Sequence, residues 1–313
     1  MSVMVEYFTK RSKGESFERQ SRPLKNNVWV NAPFVTASEL DLISNEYGLD
    51  RNILYDVQDR NELPRIEFSG SDAYVFIRIP RRSNSGRITT SPALCVIKGD
   101  TFLTIGARDT VSPELIASIV QPSTIRNTFD LLVGVVAACT ASYQGLLQRT
   151  SRSINDTALK LHSHDITNKD FVHFVTVEDN LMACRMNLSA MQAMLRRVRE
   201  TTHESMNLRD EEALDDVQLE IEQLLVAVES YTGRVDSIRN AYTTVSNNTM
   251  NIRVKTLTVL TVLITLPNVI FGMYGMNVKL PIAENPLAYV FIVVFSIILV
   301  AIVYFVGRKT KVF

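Results

Sequence analysis

TLTVLTVLITLPNVIFGMYGMNV fills positions 256–278, between Lys255 and Lys279, and carries no charged side chain over 23 residues. A second run, NPLAYVFIVVFSIILVAIVYFVG, fills positions 285–307 between Glu284 and Arg308 and is also 23 residues long. At 1.5 Å per residue each helix is roughly 34 Å long, enough to cross the hydrocarbon core of a bilayer with some tilt. No comparable stretch is read earlier in the chain. The competing assignment, a pair of buried core helices, fits poorly with runs this long that are flanked by charge. Two spans return the chain to its starting side. Arg253 and Lys255 precede the first span, and Arg308, Lys309 and Lys311 follow the second. The connecting loop carries only Lys279 and Glu284. Lys and Arg collect on the cytoplasmic side, so both termini are expected there, in a multi-pass protein of the cell (inner) membrane.

Upstream of the first span, residues 123–266 contain no proline and little glycine, which predicts long helices. Within this block Leu214, Val217, Ile221, Leu224, Val228, Tyr231, Val235, Ile238, Tyr242 and Val245 are spaced alternately three and four apart. Their mean period of about 3.5 residues is that of a coiled-coil-like seam. An ordinary amphipathic helix on a bundle has the same signature. Gly233 is the only weak point before Pro267, so the helix is expected to run straight into the first span.

The first third of the chain reads differently. Val28-Trp29-Val30, Ala73-Tyr74-Val75-Phe76-Ile77-Arg78-Ile79 and Thr101-Phe102-Leu103-Thr104-Ile105 are short, β-branched or aromatic runs. Val35–Tyr47 and Ser112–Val120 read as helices. The fold class is therefore an α+β membrane protein in three parts. Residues 1–122 form a cytosolic α/β domain, 123–253 a helical region with a long stalk helix, and 254–313 a transmembrane part with spans at about 256–278 and 285–307.

Composition closes off several functions. Thirty-three basic and 33 acidic residues leave no net charge, which argues against a nucleic-acid binder. Cys95, Cys139 and Cys184 are odd in number and widely spaced, so neither a disulfide framework nor a structural zinc site is expected. No Gly-rich phosphate loop follows a strand. The opening MSVMVEYFTKRSKGESFERQ is too polar for a signal peptide. No Ser/His/Asp or Cys/His grouping has supporting context, so no enzyme is expected.

The first span is unusual for a lipid-facing helix. Thr258, Thr261, Thr265 and Asn268 follow one another at spacings of 3, 4 and 3, and Gly272 and Gly275 continue the rhythm. Asn251 and Val254 extend it inward. A polar and small stripe on a spanning helix packs against other helices or lines water. Threonines that bond back to their own helix are a further explanation. Two helices enclose no pore, so a pore requires several copies with this stripe facing a common axis.

The first span ends Tyr274-Gly275-Met276-Asn277, after Leu266-Pro267-Asn268. With this tripeptide closing the first of two C-terminal spans behind a long helix, the chain resembles the CorA family of magnesium channels over nearly its whole length. Asn251-Ile252-Arg253-Val254-Lys255-Thr256-Leu257-Thr258 is similar to the family's entry into the first span. Leu63-Pro64-Arg65-Ile66-Glu67-Phe68 and Tyr74–Pro80 are similar to its cytosolic domain, and the short basic tail also fits. The resemblance implies a homopentameric funnel whose stalks and first spans line the path.

The resemblance also assigns roles. Gly275, Met276 and Asn277 match the signature at the outer mouth. Asn268 stands where relatives usually have a pore-facing Thr, and Leu257 matches an apolar constriction. Asn251 matches a polar ring at the inner mouth. Asp216 falls where a stalk aspartate contributes to an intersubunit divalent-ion site. Thr265 departs from the family, since some members carry an apolar constriction residue there. The closed gate is therefore expected to rest more on Leu257 and Val254.

The chemistry agrees with magnesium as both cargo and regulator. Mg²⁺ dehydrates reluctantly, so a site that admits it quickly should contact its water shell. Five Asn277 side chains would offer neutral amide oxygens to those waters. A zinc carrier would be expected to show His or Cys near the entry, and none lies between 204 and 313. Glu284 is a candidate for attracting cations from outside, or a solvated loop charge. Glu211, Glu212, Asp215, Asp216, Glu220 and Glu222 form an acidic head on the stalk. It reads as a solvated helix start favoured by the dipole or, with the resemblance, as a divalent sensor at Asp216 with Asp215. His162-Ser163-His164-Asp165 reads as a helix–helix turn, and His173 and His203 as isolated. The expected function is Mg²⁺ uptake, with Co²⁺ and Ni²⁺ as further cargo, gated by cytosolic Mg²⁺. The expected partners are lipid bilayer, divalent ions and further copies of the chain. The alternatives are a Zn²⁺ transporter of the same superfamily and a non-conducting membrane-anchored sensor.

Overall fold

Ala73–Ile79 is apolar at nearly every position rather than at alternate ones, the pattern of a strand covered on both faces. The computed structural model, which describes residues 5–9, 18–20, 28–83, 85–106, 126–162, 168–202, 207–277 and 286–309, accounts for it. The sheet consists of β1 (Glu6–Thr9), β2 (Glu18–Gln20), β3 (Val28–Ala32), β4 (Arg65–Ser69), β5 (Asp72–Arg82), β6 (Ile88–Lys98) and β7 (Thr101–Gly106). Its order is β2-β1-β3-β7-β6-β5-β4. β3 and β7 pair in parallel and the other neighbours antiparallel.

Helices cover both faces. On one, Tyr74, Phe76, Leu94, Val96, Leu103 and Ile105 meet Leu40 and Ile43 of α1 (Ala37–Tyr47) and Ile53 and Leu54 of α2 (Arg51–Tyr55). Helix α1 starts where the Thr36 N–H donates to Glu39 Oε2 at 2.8 Å and ends at Gly48, whose φ of 62° favours glycine. On the other face, Val75, Ile77, Cys95 and Phe102 share a core with α3 (Thr128–His162), α4 (Asn168–Thr202) and the first part of α5 (Leu208–Tyr274). The strand expectations hold for all three quoted runs. β1, β2, β4, β6 and α2 are additional elements. Ser112–Val120 lies outside the described residues.

Buried polar groups tie these layers. Trp29 Nε1–H donates to Thr104 Oγ1 at 3.0 Å, and Thr104 donates on to Asn31 Oδ1 at 2.7 Å. The Arg78 guanidinium donates to Thr90 and to the Glu62 carbonyl, and burial lowers its pKa. The Arg78 carbonyl accepts from Tyr143 of α3 at 3.0 Å. Thr104→Val keeps the volume but removes the hydroxyl that bonds both Trp29 and Asn31. It is expected to cost about 1–3 kcal/mol, read as a lower melting temperature of the full chain by circular dichroism. An unchanged melting temperature would remove the chain Trp29–Thr104–Asn31 from the account of stability.

Two features of the helices correct expectations. Leu214, Val217, Ile221, Leu224, Val228, Val235 and Ile238 are buried within the chain's own core, with Tyr231 packed beside them. From Leu214 to Ile238 the 3.5-residue seam therefore belongs to an in-chain bundle and lends no support to a coiled coil between copies. The expectation that no earlier stretch compares with the spans also fails, because the window in Thr128–Leu159 reaches a mean hydropathy of 1.4. Its apolar side covers the sheet through Leu132, Val135, Val136 and Cys139, and 44% of that window is buried. The windows in α5 and in α6 (Ala288–Lys309) reach 1.8 and 3.0 with 0% and 11% buried.

The chain divides into two units, Met1–Ile238 and Arg239–Phe313. The first holds the sheet and the bundle. The second holds the remainder of α5, which is unbroken as far as Tyr274, and α6.

Candidate ion-permeation site

In the second unit, α5 exposes the whole predicted stripe. Asn251, Val254, Leu257, Thr258, Thr261, Thr265, Asn268, Gly272 and Gly275 are all exposed. At 100° per residue they fall within an arc of about 120°. The partly covered positions of the same segment are Val259, Leu263, Leu266, Pro267, Ile270 and Tyr274. They centre about 180° away. The helix thus has an apolar side turned toward its own unit, while the polar, small-residue stripe and apolar flanks such as Ile252, Leu260, Ile264 and Val269 are left open.

The threonine hydroxyls settle one question of chemistry. Thr258, Thr261 and Thr265 donate to the carbonyls of Val254, Leu257 and Thr261 at 2.9, 2.8 and 2.7 Å. The back-bonding explanation is therefore correct as far as the protons go. It does not exhaust the groups. A hydroxyl that has committed its proton still has lone pairs, so it faces outward as an acceptor only. Acceptors are what the protons of a cation's water shell require. Val254 and Leu257, at 52% and 64% exposure, interrupt this polar track near its N-terminal end, which suits an apolar constriction.

Pro267 lacks the amide that would bond to Leu263, yet the helix continues through it, a break that spanning helices tolerate. The end comes at Gly275, whose N–H lies 2.9 Å from Phe271 O and 3.2 Å from Gly272 O. Met276 N–H follows at 3.3 Å from Met273 O. A Cβ on Gly275 would stand 3.4 Å from Phe271 O. Glycine here closes the last turn without a left-handed backbone. Met276 and Asn277 follow the helix and are exposed. Glu284 and the turn residues 163–165 lie outside the described residues.

In the first unit the acidic head of α5 is less uniform than its sequence. Asp215 is ion-paired with Arg199 of α4, and Glu222 accepts from Gln192 at 3.0 Å. Asp216 is exposed and carries no ion pair among the described residues. No group of three His, Cys, Asp or Glu able to hold a metal forms within the described residues, so a sensor at Asp216 needs ligands from another copy.

Sequence reading passed over Asp210. Asn207 caps α5, accepting from Arg209 and Asp210 N–H at 3.1 and 3.0 Å. Asn127 caps α3 in the same way through Asp130 N–H at 2.7 Å. The repeated Asn-x-x-Asp was the available signal. Burial, and then the charge of Asp130, raise the pKa of Asp210. A carboxyl raised in the folded state binds more protons there than unfolded. Stability should therefore fall as pH rises from 3.8 through the folded value, and the penalty persists above it. Asp210→Asn is expected to flatten that slope in melting temperature against pH. A slope identical to wild type would assign it to other groups.

Comparison with known proteins extends these observations. A family model described as CorA-like Mg²⁺ transporter protein matches residues 25–309. A curated relative, the cobalt/magnesium transport protein CorA of Methanocaldococcus jannaschii, is 22% identical over 293 residues, covering 90% of each chain. The solved complete structure of the CorA magnesium transporter from M. jannaschii aligns with a TM-score of 0.83 at 20% identity, over 99% of this chain and 98% of that one. The ZntB cytoplasmic domain from Vibrio parahaemolyticus aligns at 0.65 and 11% identity, over 79% of this chain and all of that one.

Proposed function

Since this chain belongs to the CorA-like Mg²⁺ transporter family, we propose that it forms a homopentameric channel that carries Mg²⁺ across the membrane, with both termini in the cytoplasm. The observation that carries the proposal is the open stripe on α5. It runs from Asn251 to Gly275, opposite the covered side, and offers hydroxyl and amide oxygens as acceptors. Five such stripes around an axis would make a path lined by hydrogen-bond acceptors. An ion holding its first water shell could pass it without dehydration. Asn277, with Gly275 and Met276, would form the outer filter. Asn268, Gly272, Thr265 and Thr261 would line the middle, and Leu257 and Val254 would close it. Asn251 would form the inner ring. Co²⁺ and Ni²⁺ keep similar hexahydrated shells and would share the path.

Cytosolic Mg²⁺ would close the channel through Asp216. Asp215, held by Arg199, would join only by exchanging that partner. Glu284 would raise the local cation concentration outside.

The test is uptake by proteoliposomes of the purified chain, with Mg²⁺, Co²⁺, Ni²⁺ and Zn²⁺ compared side by side, and native mass spectrometry of the same sample. The expected results are Mg²⁺ entry at least as fast as Zn²⁺ entry, and a mass of five chains. Entry of Zn²⁺ alone would favour the zinc transporter. A stable monomer or dimer without flux would favour a membrane-anchored sensor.

A further inference from the structure

His173, isolated in the sequence, has company in the fold. Its Nε2 lies 2.6 Å from Ser153 Oγ on α3. The two line a small pocket with Arg149 of α3, Arg82 at the end of β5, and the β5–β6 turn. Its floor is apolar and buried: Leu146, Ile88 and Val177. The enclosed volume is about 20 Å³, room for one water or one oxyanion oxygen, with the mouth open to solvent.

The pocket is a built junction. Asn180 of α4 accepts from the Ile88 N–H at 2.7 Å and donates to the Gly86 carbonyl at 3.1 Å, which clamps the turn to α4. Arg87 in the same turn is paired with Asp179 at 2.9 Å. Arg82 and Arg149 differ from Arg87: among the described residues neither has a carboxylate partner, and no Asp or Glu lines the pocket. Two arginines thus line, with a hydroxyl and an imidazole, a recess sized for one oxygen, and no carboxylate among the described residues pairs with either.

We infer that this recess binds a phosphate group: one oxygen in the pocket beside Ser153 and His173, and the others on Arg82 and Arg149. Guanidinium is planar and offers paired donors that match phosphate oxygens. A phosphate has enough oxygens to serve the recess and both arginines, where a carboxylate has only two. The bound group would join the sheet hairpin to the two long helices. The inference uses residues of the first unit only and stands apart from the conduction reading. The phosphate has three possible sources: free phosphate, a nucleotide, or a lipid headgroup.

The experiment is calorimetric titration of the full chain in detergent with EDTA present. Orthophosphate, ATP and glycerol 3-phosphate serve as separate probes for the three sources. At least one should bind. Arg82→Ala and Arg149→Ala should each weaken it about tenfold or more. Arg149→Lys, which keeps the charge and loses the fork, should fall between. Arg87→Ala, in the same turn but paired with Asp179, should bind like wild type. Melting curves confirm that each variant is folded. The inference is overturned if no probe binds at concentrations on the order of 10 mM. It is equally overturned if binding survives in a folded Arg82→Ala/Arg149→Ala double variant.

Discussion

Asn277→Ala is expected to abolish Mg²⁺ flux, or leave a small fraction of it, in a protein that still assembles. The side chain lies just beyond the last turn of α5 and is exposed, so truncation opens no cavity and breaks no core contact. Stability should stay within about 0.5 kcal/mol of wild type. Function should not. In the proposed assembly five amide oxygens accept from the water shell of the entering ion, and alanine removes all five at once. Each hydrogen bond to a charged partner's shell is worth about 1.5–3 kcal/mol, so even partial use of the ring amounts to several powers of ten. Asn277→Gln keeps the amide but moves it outward and should retain part of the flux. Wild-type rates from a correctly assembled Asn277→Ala protein would take Asn277 out of the filter.

The second large effect is expected at Asp216. A ligand shifts an equilibrium between closed and open forms only through its difference in affinity for the two. An ion bridging carboxylates of neighbouring copies has that difference, because the bridge exists only while the copies stand together. With the ion absent, the same carboxylates repel one another and favour opening. Asp216→Ala removes both bridge and repulsion, so resting openness is a poor readout. The concentration of internal Mg²⁺ needed for half-inhibition is a good one, and it should rise roughly tenfold or more. Arg199→Ala is the companion variant. It releases Asp215 from its ion pair, makes it available as a second ligand, and should lower that concentration. If Asp216→Ala and Asp215→Ala/Asp216→Ala both leave the inhibition curve where it was, the acidic head of α5 is a solvated helix start.

How much of this was legible in the sequence varied with how local the signal was. The spans and the stripe depend on residues three and four apart on one helix, so Thr258, Thr261, Thr265 and Asn268 declared their common face before any coordinates. The continuity of α5 followed from the absence of proline between 123 and 266. Chemistry between elements was not legible. The seam from Leu214 to Ile238 looks the same whether the partner helix belongs to the chain or to another copy; only the burial of α3 and α4 residues in the same core decided it. The pairing of Asp215 with Arg199 joins helices whose order, but not rotation, the sequence implies. The pocket at His173 joins Arg149 and Ser153 of α3 to Arg82 at the end of β5 and His173 of α4, and no spacing rule connects those three elements.

The central claim is that the open stripe of α5 lines the ion path, and cysteine accessibility tests it most directly. The chain is suited to the method. Cys95, Cys139 and Cys184 are buried, and burial pushes Cys139 and Cys184 up to about 12, so their thiolates are scarce near neutral pH. Single cysteines at Asn251, Thr261, Thr265 and Asn268, and at Leu263 and Ile270 on the covered side, would be treated in proteoliposomes with a water-soluble methanethiosulfonate. Loss of Mg²⁺ flux would then be recorded. Block at the first four positions with little effect at Leu263 and Ile270 is the predicted result. Equal block on both sides, or none along the stripe in an assembly that conducts, would contradict it.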